Sequence, residues 1–268
     1  MALITYYTKG ILTNRNLWFW GVAFMIFWLV LGAYSFAQGL PRQSNILVPY
    51  TASWYGTIAL YSLSSLAISI AYSIYYASSS LAYSFRYTKL SPLSYAGTLV
   101  GSSSVLGAIL SVIMLVSTYG LFSTRFSLRL TPSNPIEAIL ISALAGIFMM
   151  TLAMFLVLIA VNYVGLQNIN LVTFVPLILA YGFGFSQLTT PLPPALLYAS
   201  PYNAIQSLLF QAYSGLAPPA QLDNASSSLL QWQYLFASLI IWIIMLFLID
   251  SYLLRKIRPR QVEEGRQI

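Results

Sequence analysis

Residues 17–37 read LWFWGVAFMIFWLVLGAYSFA, an unbroken run without a single charge. At 1.5 Å of rise per residue a helix of about 20 residues spans roughly 30 Å, the thickness of a bilayer's hydrocarbon core, and a helix pairs its own backbone groups there. Trp18 and Trp20 stand at the start of the run, where an aromatic belt anchors a span at the membrane boundary.

Five comparable runs follow. They cover about 54–77, rich in Ser and Tyr; about 97–122; about 136–161, the most uniformly apolar; about 171–187, which contains Pro176 and Tyr181-Gly182-Phe183-Gly184; and about 234–254. The whole chain is 59% hydrophobic and 6% charged, against about 25% charged in a soluble domain, so a water-facing surface cannot be built from it. The expected fold is therefore all-α and polytopic, one transmembrane domain over 1–268 with six spans and no separate soluble domain.

The segments between the runs complete the expectation. In 3–14, Leu3, Ile4, Tyr7 and Ile11 recur at helical spacing with Thr5, Lys9 and Asn14 elsewhere around the wheel, which predicts an amphipathic helix on the membrane surface despite Gly10 in its middle. No small-residue cleavage site follows it, so the segment is expected to be retained. Residues 190–230 mix short apolar stretches with Pro, Ser and Gln, too broken for a crossing, and predict short helices on the outer face. Residues 255–268 read as a cytoplasmic tail.

Charge sets the expected orientation. Lys9, Arg15, Arg86, Lys89, Arg255, Lys256, Arg258, Arg260 and Arg266 fall on one side of a six-span topology, and Arg42, Arg125 and Arg129 on the other. Nine against three places both termini in the cytoplasm of a cell whose plasma membrane the chain crosses. The net charge of +7 sits at span ends, where topology and lipid headgroups account for it, and nucleic acid is not an expected partner.

The residue types exclude several chemistries. The chain has no Cys and no His, which removes disulfides, Cys/His metal sites and cysteine- or histidine-based nucleophilic catalysis. Asp223, Asp250, Glu137, Glu263 and Glu264 are scattered, offering no carboxylate pair and no metal cluster. No carboxylate or cation lies near the middle of a span, where ion-coupled carriers keep their relay groups, and no Gly-x-x-x-x-Gly-Lys-Ser/Thr loop is present to hold nucleotide. No catalytic residue, metal ligand or cofactor site is expected in this chain.

What remains is a polar face. Tyr55, Ser62, Ser69 and Tyr76 recur every seven residues in the second span, with Ser65 and Ser73 on nearly the same side. Such hydroxyls either line a route for a solute or bond across close helix contacts, and both readings stand. Gly97 and Gly101, extended by Ser104 and Ala108, favour close helix contact in the third span. Asn224-Ala225-Ser226 has the pattern of a glycosylation acceptor on the outer face.

The arrangement resembles the membrane-spanning permease subunit of type 2 ATP-binding cassette transporters over nearly the full chain. Three stretches carry the resemblance: the amphipathic start ending in Thr13-Asn14-Arg15, the loop Phe85-Arg86-Tyr87-Thr88-Lys89-Leu90-Ser91-Pro92-Leu93-Ser94, and Ala199-Ser200-Pro201-Tyr202-Asn203-Ala204-Ile205. The resemblance implies an exporter subunit that pairs with a second permease, identical or related, and with ATPase subunits that hold the ATP and Mg. It implies coupling to the ATPase through Lys9, Arg15, Arg86, Lys89, Leu90 and Pro92, and a route lined by spans two and five, onto which Tyr55, Ser62, Ser65, Ser69, Ser73 and Phe183 map. The uncharged connection between spans four and five and the outer pair Arg125 and Arg129 depart from the pattern. Two other readings compete: a nonenzymatic membrane scaffold or assembly factor, and an ATP-independent facilitator.

Overall fold

The computed structural model describes residues 2–164, 169–223 and 227–257. Its first helix, α1 (Ala2–Leu12), is tied to the second by two contacts: the Asn14 side chain accepts the Asn16 amide as an N-cap, and Trp18 Nε1 donates to the Leu12 carbonyl at 2.6 Å. The second helix, α2 (Arg15–Phe36), loosens into π-turns over Phe19–Ala23 and Gly32–Phe36. Each π-turn contains a glycine on which another helix presses. Ser65 sits directly on Gly21, and a Cβ at Gly32 would stand 2.6 Å from the Trp54 indole.

The helix that crosses the centre, α3, runs Ser44–Tyr87, so the span expected over 54–77 is the middle of a longer element. At 44 residues it is roughly 66 Å long, well beyond a hydrocarbon core. Its polar residues do not break it because they bond inward. Thr51, Thr57 and Ser64 each donate to the carbonyl four residues back, at 2.7–2.8 Å, which leaves their hydroxyls satisfied without water.

Next come α4 (Pro92–Phe126), started by Ser91 as cap and Pro92 in the first turn, and α5 (Pro135–Ile159), which ends in a π-turn over Ala160–Val164. These two approach most closely where Gly107 meets Ser142 and Gly146 meets Ser103, with no room for a Cβ at either glycine. Ser103-x-x-x-Gly107 and Ser142-x-x-x-Gly146 are thus the small-residue pairs that bring helices together. The expected pair Gly97 and Gly101 does other work: Gly97 faces open space, and a Cβ at Gly101 would stand 3.1 Å from the Ile4 side chain of α1.

The remaining helices are α6 (Asn170–Thr189), the short α7 (Pro194–Ala199) and α8 (Pro201–Ser214), and α9 (Trp232–Arg255). Among the described residues six helical segments are long and apolar enough to cross a membrane: Arg15–Phe36, Ser44–Ser78, Pro92–Phe126, Pro135–Tyr163, Asn170–Thr189 and Trp232–Arg255. Among the described residues there is no strand beyond an isolated bridge between Pro219 and Leu229. The chain is an all-helical, multi-pass membrane protein.

The segment between the last two spans departs most from expectation, because it enters the bundle. Tyr198, at the end of α7, bonds through its hydroxyl to the amide of Gln231, just ahead of α9, while the Ala199 carbonyl accepts Trp242 Nε1 about 15 Å further along α9. From there α8 returns, capped by Ser200 with Pro201 in its first turn and stopped by Gly215 in the left-handed conformation. Two carbonyls of its last turn are received elsewhere: Ser133 donates its amide to Tyr213 and Asn134 to Ala212, at 2.8 and 2.9 Å. Hydrogen bonds thus close the dip at both ends.

Candidate functional site

Two ends of the bundle differ in charge. At one end α1 lies across the start of α4, where Ser102 Oγ donates to the Ile4 carbonyl at 3.2 Å and the Tyr7 and Tyr95 rings meet edge to face at 5.7 Å. Lys9, Arg15, Arg86 and Lys89 are all exposed there, and Leu90 and Pro92 are half-buried in the short turn between α3 and α4. Asn162 donates to the Leu253 carbonyl, which brings the end of α9, with Arg255 and Lys256, to the same level. Lys256 lies over the Tyr252 ring at 4.4 Å, and that hydrogen-bonding contact raises its pKa. Arg42 and Arg125 are at the other end, where the Arg125 guanidinium covers the Tyr34 ring at 5.5 Å.

A cavity of about 1010 Å³ opens at the first of these ends. Its walls are α1 with the turn after it (Tyr6, Lys9, Asn14), the exit of α3 (Ser69, Tyr72, Ser73, Tyr76) and the start of α6 at Asn170. Tyr72 donates to Asn170 Oδ1 at 2.7 Å and fixes the α3–α6 side. Ser69 is buried, and its hydroxyl has no hydrogen-bond partner. Burial raises the pKa of Tyr7, the half-buried ring on the α1 wall, so its hydroxyl stays a neutral donor. Lys9 is the one charged residue among the lining groups. The surface therefore offers many neutral hydrogen-bonding groups and aromatic rims, suited to an amphipathic solute and lacking any nucleophile paired with a base.

The hydroxyl stripe of α3 divides along its length. Ser69 and Ser73 line the cavity. Ser62 instead donates to the Gly21 carbonyl at 2.6 Å, Ser65 donates to Ser62 at 2.7 Å while pressing on Gly21, and Tyr55 is fully buried with its hydroxyl 3.2 Å from Ser111. These three fasten α3 to α2 and α4. Phe183 also stands apart: its ring stacks on Tyr202 at 5.8 Å, and it lines a separate apolar cleft of about 300 Å³ beside Trp242. Asn224 lies outside the described residues.

A buried amide cluster escaped the sequence reading. Gln187 of α6 donates to Ser207 at 2.7 Å, Asn203 donates to Gln187 at 2.9 Å and to the Phe183 carbonyl, and Gln206 donates to Thr57 at 2.7 Å and to the Gly184 carbonyl. Gly56 and Gly184 make room for it: a Cβ at Gly56 would meet the Gln206 carbonyl at 2.7 Å, and one at Gly184 would meet the Tyr61 ring at 2.7 Å. The polar residues inside Ala199–Ile205 and the Gly-Phe-Gly run were the available signal. Asp250 of α9 is fully buried as well, and neither carboxylate oxygen has a hydrogen-bond partner among the described residues.

No protein-family model, curated protein or solved structure matches this chain.

Proposed function

We propose that the chain is the permease subunit of a type 2 ATP-binding cassette exporter. The observation that carries the reading is the cavity bounded by α1, the second span and the fifth span, the elements that line the route and its entrance in the family the sequence resembles. Ser69, Tyr72, Ser73 and Asn170 form the entrance wall for an amphipathic or hydrophobic cargo. The exposed cations Lys9, Arg15, Arg86 and Lys89 at the same end form the docking face for a separate ATPase subunit, with Leu90 and Pro92 in the turn that transmits its closure. That end faces the cytoplasm of the plasma membrane, by the excess of cations gathered there. A second permease, identical or related, completes the route, and the ATP and Mg belong to the ATPase chains.

The test is a mild-detergent purification of the tagged chain from its native membrane, with copurifying chains identified and ATPase activity assayed. The account expects a bound ATPase that is lost in the double variant Arg86→Glu, Lys89→Glu. A clean, folded preparation without ATPase overturns it. A scaffold then becomes the better reading, favoured by Tyr55 and Ser62, whose hydroxyls bond to neighbouring helices.

A further inference from the structure

The end of the bundle opposite α1 holds two adjoining recesses that the proposed transport route does not use. The first, about 240 Å³, is walled by Phe36, Tyr50, Trp54 and Phe185, with Asp223 among them. The second, about 380 Å³, shares Tyr50 and Asp223 and is otherwise mostly apolar, with Ile46, Pro49, Leu216, Leu222 and Leu229 along it.

Asp223 is held there by its neighbours. The Leu222 amide donates to the Gln187 carbonyl at 3.0 Å, the Leu222 carbonyl accepts Ser53 Oγ at 2.7 Å, and Gln221 Nε2 donates to the Thr189 carbonyl at 3.0 Å. The backbone before the carboxylate is thus stitched to α3 and to the end of α6. Asp223 itself remains exposed, partial desolvation raises its carboxyl pKa, and among the described residues no lysine or arginine acts to lower it.

Ring faces carry negative potential and attract cations, most strongly when the cation also leaves water. A carboxylate among four aromatic side chains repels an anion and is complemented most fully by a cation. An interfacial aromatic belt would explain rings at this level. It does not explain why a carboxylate on which no described cation acts stands beside these rings, of which Trp54 is stacked on Phe36 at 5.6 Å.

We propose that the two recesses form one site for an organic cation with an apolar tail, the ammonium lying between the aromatic walls and Asp223 and the tail along Ile46, Pro49 and Leu229. The site stands whether or not the chain works with an ATPase.

The probe is hexyltrimethylammonium, titrated calorimetrically into the full chain in nanodiscs of neutral lipid, with hexyl sulfate as the same tail carrying the opposite charge. The ammonium should bind saturably and the sulfate should not. Asp223→Asn should weaken the ammonium by about tenfold or more, whereas Arg255→Gln, at the far end, should leave it unchanged. Phe36→Ala removes an exposed ring and should also weaken binding, and it serves if Trp54→Ala fails to fold. Absent saturation by the ammonium, equal binding of the sulfate, or unchanged affinity in an Asp223→Asn variant with parental unfolding temperature overturns the proposal.

Discussion

Helices α8 and α9 invert the rule learned from soluble proteins. The α9 helix is a 24-residue run of mostly apolar side chains, yet only 28% of its most apolar stretch is buried in the protein, and Ile241, Ile244 and Leu248 point outward. The α8 helix is short, starts at a proline and carries Asn203, Gln206 and Ser207, yet these are all fully buried. In a bilayer the outward surface meets hydrocarbon, so apolarity no longer drives a helix inward; what holds the interior together is close packing and internal hydrogen bonding.

Substitutions can break that contrast. The largest effect is expected from Ile244→Asp, which places a charge at mid-span toward lipid and should cost about 3 kcal/mol of insertion, read as lost membrane-integrated protein. Next comes Gly56→Val, which drives a side chain into the α8 backbone and should cost about 1–3 kcal/mol, read as a lowered unfolding temperature in detergent. The smallest is Ile244→Ala, which exchanges one apolar group for another at an exposed position and should stay within about 0.5 kcal/mol by the same assay. If Ile244→Ala destabilises as much as Gly56→Val, α9 packs against protein and the contrast fails.

The six crossings were legible because a span needs only length and freedom from charge, and residues 17–37 or 234–254 satisfy both without regard to neighbours. The true start of α3 at Ser44 was not, since Asn45 and Pro49 look like loop residues. The inward dip of α8 was hidden for a related reason. A polar residue facing a protein partner and one facing water have the same letter, and only the partners, Gln187 and Thr57, distinguish them. The stripe on α3 was seen as a stripe, but its division at Ser65 depends on where α2 presses with Gly21, which periodicity does not encode.

That division is the most direct handle on the transport account, which requires an entrance at Ser73 and a sealed contact at Ser62. The chain lacks cysteine, so single variants Ser73→Cys and Ser62→Cys can be probed in membranes with a water-soluble thiol reagent. The account predicts rapid labelling at position 73, slow labelling at position 62 in the resting protein, and a change in the position 73 rate when the copurified complex is given ATP. Equal labelling at both positions without nucleotide would contradict it in favour of a continuously open facilitator, and an unreactive position 73 would remove the entrance altogether.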